Sequence, residues 1–248
     1  MKRLFFDIET SPCIGWFWRP SYRTRLSYDN VIEDAKIICI SYKWQDEDKV
    51  YTLNWGKQKD DKKMIKKFVS IMKKADEIVG HNGDRFDIPW IRTRALYHGI
   101  ENVPRWRTLD TLKSVRSNLK LPSNRLDAIG RYFGLGEKIK VDGELWKNIV
   151  FEDGSRMDEM VDYCEQDVLL LQAVYEKIVG VVPLKTHVGV VEGRENWTCP
   201  NCGSTSVSIK AHHSSTPTGI VRHQMCCKPC GRYYYISSKV YFKYLKQK

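Results

Sequence analysis

The sequence predicts a mixed α/β sheet flanked by helices, followed by a small cysteine-bearing module. Three observations carry this expectation. Strand-like runs open the chain and then alternate with helical periodicities as far as residue 178. Five of the eight cysteines fall between positions 199 and 230. The charge divides in the same way. Of a net +11, residues 1–180 carry +3 (31 basic against 28 acidic side chains) and residues 181–248 carry +8 (10 against 2).

Taken in order, β-branched and aromatic residues mark strands over 3–9, 36–43 and 49–54. The segment KQKDDKKMIKKFVSIMKKAD (57–76) places Ile65, Phe68, Val69 and Met72 on one helical face, with lysines forming a solvated face around them. A strand is expected over 76–80. A helix follows over FDIPWIRTRALYHG (86–99), with Pro89 in its first turn and Gly99 beyond its end. A short strand at 107–110 precedes helices near 111–118 and 124–133, with Asp110 as an N-cap. GLGEK (134–138) lacks the Gly-Lys-Ser/Thr ending of a phosphate loop and reads as a helix stop. A longer helix covers about 156–178. Residues 181–195 hold Pro183, Gly189 and Gly193 without a period and read as a linker between domains at 1–180 and 196–248. The isolated Cys13, Cys39 and Cys164 sit among apolar residues and are expected in the core. No apolar run approaches the ~18 residues of a membrane span, and the N-terminus carries no cleavage signal. The expected setting is cytoplasmic, with no membrane partner.

LFFDIETS (4–11) places two carboxylates in an apolar strand. Residues i and i+2 of a strand share a face, so Asp7 and Glu9 point together, away from Phe6 and Ile8. Adjacent buried carboxylates repel each other and lose hydration. The pair alone leaves two readings: a site for a hard divalent cation such as Mg²⁺, or a wet sheet edge. Further acids favour the cation. HNGDRFD (81–87) follows a strand and brings Asp87 to the start of a helix. YCEQD (163–167) puts Tyr163 and Asp167 at i and i+4, on one helical face beside the apolar stripe of Met160, Cys164, Val168 and Leu171.

Together, Asp7-Ile8-Glu9, Asn82-Gly83-Asp84-Arg85-Phe86-Asp87 and Tyr163-Cys164-Glu165-Gln166-Asp167 resemble the three motifs of the DEDD superfamily of 3′→5′ exonucleases. The first motif alone is weak, but all three in order are specific. Tyr163 places the resemblance in the tyrosine branch, similar to the proofreading domains of family B DNA polymerases. LDTL (109–112) and LDAIGRYFGLG (126–136) look like connecting segments of the same family. The resemblance covers roughly residues 3–178 and implies a ribonuclease H-like fold. It also implies hydrolysis of phosphodiester bonds with two Mg²⁺ or Mn²⁺ ions about 4 Å apart. By the family pattern, Asp7, Glu9 and Asp167 hold the metal that activates water. Asp7 bridges to the second metal, supported by Asp87, and the Tyr163 hydroxyl orients the water. Asn82 and Phe86 are candidates for shaping the site near the terminal nucleotide, although Phe86 also reads as a core aromatic. Trp16 and Trp18 follow the first motif and are candidates for stacking on unpaired bases.

Cys199-x-x-Cys202 and Cys227-x-x-Cys230, each followed by glycine, look like the two knuckles of a zinc ribbon with one structural Zn²⁺. Cys226 could replace Cys227, but the spacing favours Cys227. The basic and aromatic residues around the knuckles suit nucleic acid, or else a docking site for a protein partner. The expected partner is nucleic acid, with DNA favoured over RNA by the resemblance. Two alternatives remain: a non-catalytic nucleic-acid-binding adaptor on a nuclease fold, and a structure-selective endonuclease.

Overall fold

A computed structural model describes residues 1–19, 27–183, 186–215 and 219–248, the side chains of 212–215 excepted. The chain divides into two compact units, Lys2–Lys177 and Ile178–Lys248 together with Met1.

The first unit runs β1 (Arg3–Thr10), β2 (Ile14–Gly15), β3 (Val31–Glu33), β4 (Ile37–Trp44), β5 (Val50–Asn54), α1 (Lys62–Met72), β6 (Glu77–Gly80), α2 (Asp87–Tyr97), β7 (Thr108–Asp110), α3 (Thr111–Asn118), α4 (Leu126–Phe133), α5 (Gly143–Phe151) and α6 (Met157–Ile178). Its five-stranded sheet has the order β5-β4-β1-β6-β7. β4 and β5 are antiparallel to their neighbours, whereas β6 and β7 run parallel to β1. The strand carrying the two acids is therefore the central one, which rules out the wet-edge reading.

Alternation along β1 decides what each face meets. Leu4, Phe6 and Ile8 enter the core with α1, where the rings of Phe6 and Phe68 lie 5.3 Å apart. All five apolar residues of the α1 face are buried, so the lysine-rich segment is held by packing. Phe5 points the other way and meets Tyr175 of α6 edge-on at 5.2 Å. Asp7 and Glu9 share that second face.

Two features escape the sequence. α5 starts at Gly143 and buries only Leu145 and Ile149, too few residues to show a period; Asp142 caps it by accepting from Leu145 N at 3.0 Å. Asp61 is fully buried. It accepts from Arg94 Nε at 2.7 Å and Nη2 at 2.8 Å, from His98 Nε2 at 2.6 Å and from Ile37 N at 3.1 Å. Asp60, Asp61 and His98 lie close enough to hold a cation. The Arg94 guanidinium and the Ile37 amide already saturate Asp61, however, so this is a structural knot between α1, α2 and β4. Cys39 and Cys164 are core residues as expected, but Cys13 is exposed beside the small β2–β3 sheet.

The second unit contains α7 (Val188–Val191), β8 (Val207–Ser215), β9 (Val221–Cys227), β10 (Tyr233–Ser237) and α8 (Ser238–Lys246). Its antiparallel sheet, ordered β10-β9-β8, packs Val207, Met225, Tyr234 and Ile236 against Trp197 and Tyr244. The segment expected as a linker is part of this unit. Val188 N donates to Pro200 O at 2.8 Å, Arg194 Nη1 to Gly203 O at 2.7 Å, and Arg232 Nη1 to Val182 O at 2.9 Å. A Cβ on Gly189 would come within 2.0 Å of Thr198 Oγ1, so only glycine fits there. Hydrogen bonds and one close approach hold the segment, which is why it shows no hydrophobic period. Among the described residues, no helix is long and apolar enough to cross a membrane.

Candidate active site

Three elements meet at the acids. β1 supplies Asp7 and Glu9, and α6 supplies Asp167; oxygens of these three carboxylates lie within 4.8 Å of one another. Asp87 is the first residue of α2 and accepts the backbone N–H of Ile8, which ties the helix start to β1.

The turn before Asp87 is tightly specified. Gly80 and Gly83 approach so closely that a Cβ on either would lie 3.2 Å from the other's Cα. Asn82 has φ +68, an unusual conformation that asparagine tolerates better than most residues. Asp110 clamps the turn: Oδ1 accepts from Asn82 N at 3.1 Å and Oδ2 from Asp84 N at 3.3 Å. The same carboxylate caps α3 through Lys113 N at 3.2 Å, the role expected of it.

Four carboxylates share the cluster with a single ammonium, so their charges are only partly compensated. Burial, with Asp87, Glu9 and Asp167 close by, pushes Asp7 well above the usual carboxylate range. Burial and the charge of Asp167 push Glu9 to about 8, and burial raises Asp87 to about 7. Burial also raises Asp167, against the pull of Lys138. Oδ1 of Asp87 and Oδ1 of Asp167 are buried and accept no hydrogen bond from the described residues. Buried oxygens left bare cost about 1–3 kcal/mol each. Raised carboxyl pKa values and orphaned oxygens on one face fit residues that would hold a cation. The donor set suits a hard divalent ion.

Lys138 is the residue that the sequence does not reveal. Its ammonium pairs with Asp167 Oδ2 and lies 5.6 Å from the centre of the Tyr163 ring. Its backbone N–H is held by Asp127 Oδ1 at 3.1 Å. Although burial opposes it, Asp167 raises Lys138 to about 12, so it stays charged. The helix stop in GLGEK is real, since Gly134 ends α4 in the left-handed conformation. The lysine just after it, on an irregular segment without a period, turns into the site. Tyr163 is half-buried against Trp146, and burial pushes its hydroxyl to about 12.

A cavity of about 780 Å³ opens beside Lys138, with His81, Asn82, Arg116, Arg125 and Arg131 in its wall. Arg131 pairs with Asp127 at 2.5 Å, and Lys113 pairs with Asp84 at 2.7 Å outside the cavity wall. Phe86 is 41% exposed and packs edge-on to Trp90, so it is a surface aromatic and not a core one. Trp16 and Trp18 lie just beyond β2, exposed and 6.0 Å apart in a T-shaped pair.

In the second unit, the sulfurs of Cys199, Cys202, Cys227 and Cys230 lie within 4.8 Å of one another, with Cys199–Cys230 at 3.6 Å and Cys202–Cys227 at 3.5 Å. Tetrahedral Zn–S bonds of about 2.3 Å require sulfurs about 3.8 Å apart. The two knuckles match. Gly203 N donates to Cys199 O and Gly231 N to Cys227 O, each at 2.9 Å, and both glycines have φ +68. Burial raises Cys227, whereas the Arg232 N–H and the neighbouring thiols, acting against burial, lower Cys230 to about 7. Cys226 faces away from the cluster, its sulfur 3.7 Å from Cys227 O. The four-cysteine cluster fits a zinc ribbon.

Comparison with known proteins agrees with this architecture. A family model for the RNase_H superfamily, RNase_H_2, matches residues 31–179, a span that includes Asp87, Lys138, Tyr163 and Asp167. A DNA polymerase of Thermococcus litoralis is 25% identical over 222 residues, covering 79% of this chain and 12% of the polymerase. One of Pyrococcus glycovorans is 25% identical over 224 residues, covering 79% of this chain and 27% of the polymerase. The chain thus spans well under a third of these relatives. The family B DNA polymerase of Pyrobaculum calidifontis superposes with a TM-score of 0.53 at 22% identity, covering 72% of this chain and 24% of that one. This last likeness is one of fold. A mixed sheet flanked by helices, carboxylates on its central strand and a match over more than half its length place the chain in the RNase_H superfamily.

Proposed function

We propose that the chain is a metal-dependent 3′→5′ exonuclease that hydrolyses single-stranded 3′ ends, with DNA favoured. The observation that carries this reading is the cluster of buried carboxylates with raised pKa values on β1, and on α2 and α6 beside it, two of them with bare oxygens. The polarity and the preference for DNA are supported by the motif resemblance and by the DNA polymerases among the relatives.

In this reading Asp7, Glu9 and Asp167 would hold one Mg²⁺ or Mn²⁺, and Asp87 would help to hold a second. Such ions would supply Lewis-acid chemistry, activating water and neutralising charge on the phosphate. The residues do the positioning. Tyr163, at about 12, keeps its proton at neutral pH, so its hydroxyl aligns the attacking water and does not serve as its base. Lys138 holds Asp167 in place and brings a fixed positive charge to the phosphate. Attack at phosphorus releases the 3′-oxygen of the neighbouring nucleotide and frees a 5′-mononucleotide. Arg116 and Arg125 in the cavity wall offer phosphate contacts to the strand behind the scissile bond. Asn82 and Phe86 sit on the turn before Asp87, where they would meet the terminal nucleotide. The four cysteines hold one Zn²⁺ in a closed, structural site. A cytoplasmic setting would keep those thiols reduced.

The test is a gel assay with 5′-labelled single-stranded DNA and RNA of one sequence, run with Mg²⁺, with Mn²⁺ and with EDTA. A metal-dependent ladder shortening from the 3′ end supports the reading. Internal cuts would replace it with an endonuclease. Intact substrate that is still retained in a binding gel would replace it with an adaptor.

A further inference from the structure

The C-terminal unit carries an open surface that the nuclease reading does not use. The sheet β10-β9-β8 has two unlike faces. One is sealed by the core of Val207, Met225, Tyr234, Ile236, Trp197 and Tyr244. On the other, Tyr233 and Tyr235 alternate with the buried Tyr234 and Ile236 and are 55% and 51% exposed. The register sets Tyr233 beside Cys226 and Ser208, Tyr235 beside Gln224 and Ala211, and Ser237 beside Arg222 and Ser214. Gln224 Nε2 donates to the Tyr235 hydroxyl at 3.1 Å, which steadies that ring. Arg222 and Lys210 are both exposed, the latter at the irregularity in β8.

The composition of this face selects its occupant. It offers two flat rings, small polar residues and cations, the groups that stack on bases and pair with phosphates. Residues 181–248 hold 10 basic and 2 acidic side chains, so the field around the face is strongly positive. Alternate residues of a strand stand about 7 Å apart, so each ring can take a separate base. Bases offer free faces for such stacking only when they are unpaired. We infer that this face binds single-stranded nucleic acid, with bases stacked on Tyr233 and Tyr235 and phosphates on Arg222 and Lys210.

The experiment measures fluorescence anisotropy of labelled oligothymidylate and oligouridylate of about 20 nucleotides, long enough to span a stacking platform. The full chain is used in an Asp7→Asn background to prevent cleavage. Tyr233→Ala and Tyr235→Ala should each weaken binding about tenfold, whereas Tyr233→Phe and Tyr235→Phe should retain it. Should the alanine variants not fold, 5-iodouracil oligomers photo-crosslinked to the chain with both tyrosines intact give the same answer by peptide mapping. Crosslinks at Tyr233 or Tyr235 support the inference, and the tighter oligomer names the preferred sugar. Alanine variants that bind like the parent, or crosslinks confined to other residues, overturn it and leave the face to a protein partner. Hydrolysis of a nucleotide p-nitrophenyl ester by the unsubstituted chain reads the carboxylate site by itself, so failure of the exonuclease reading is seen separately.

Discussion

Lys138 and Asp167, 29 residues apart in the chain, form a direct ion pair beside the carboxylates of β1, with the Lys138 ammonium also facing the ring of Tyr163. The pair gives the cluster a built-in positive charge. Replacing Lys138 with methionine keeps the stem and removes the charge. Hydrogen bonds to charged groups contribute about 1.5–3 kcal/mol, so hydrolysis should fall about 10- to 100-fold. The metal-free melting temperature should fall as well. Steady-state rates and thermal melts check both, and an unchanged rate would remove Lys138 from the site.

Asp7 lies between the other acids, so its removal should affect chemistry and stability in opposite directions. Asp7→Asn should lower hydrolysis about a thousandfold or more, the loss expected when several kcal/mol of charge stabilisation disappear. Its metal-free melting temperature should equal or exceed that of the parent, because one repelling carboxylate is gone. Turnover within about tenfold of the parent by a pure Asp7→Asn sample would sink the assignment.

The raised acids also set a pH dependence. Glu9 is pushed from 4.5 to about 8 and Asp87 from 3.8 to about 7, so over that range the folded chain binds more protons than the unfolded one. The stability they contribute is present at low pH and is lost as pH rises towards 8. His81, lowered by burial, and Asp61, lowered by Arg94 and His98 against burial, act in the opposite sense. The comparison that isolates the acids is therefore between the parent and Glu9→Gln. In EDTA the parent should lose melting temperature relative to Glu9→Gln between about pH 5 and pH 8, and Mn²⁺ should cancel the difference. Parallel curves would contradict the cluster electrostatics.

Cys226 and Cys227 are adjacent but not equivalent. Cys227→Ser should abolish zinc retention and unfold the second unit, because such small modules draw folding energy from their metal. Cys226→Ser should retain the metal and change stability by less than about 0.5 kcal/mol. Metal analysis of the purified variants by mass spectrometry decides, and the reverse pattern would assign the ligand to Cys226.

Asp110 holds the turn that leads to Asp87. In Asp110→Asn the cap on α3 can persist through Oδ1, but an amide N–H replaces the oxygen that accepts from Asp84 N. The expected cost is about 1–3 kcal/mol of stability. The rate should also fall with little change in KM, the signature of a displaced Asp87. A melting shift without any loss of rate would make Asp110 a cap alone.

The sequence shows the scaffold well and the inside of the site unevenly. β1, α1 and α6 are legible because each keeps a clean period: apolar alternation in Leu4, Phe6 and Ile8, and one buried stripe in each helix. Asp7 and Glu9 are legible at i and i+2 on β1, Tyr163 and Asp167 at i and i+4 on α6, and Asp87 at the start of α2. Lys138 is not, because an irregular segment carries it and nothing periodic says where it turns. Asp61 hides beside Asp60, identical in chemistry and exposed, and only burial separates the two. The segment at 181–195 escapes because it is held by hydrogen bonds and one glycine contact, which leave no pattern in residue type.

The first unit also buries ion pairs away from its carboxylate cluster: Asp61 with Arg94 at 2.7 Å, and Arg3 with Glu77 at 2.8 Å. Hydration of charged groups becomes less favourable on heating, so the cost of burying such pairs shrinks as temperature rises, while the apolar contribution levels off. These two knots therefore contribute most when the solvent is hot. They flatten the loss of stability on warming and suit the fold to a wider thermal range than its apolar core alone would allow.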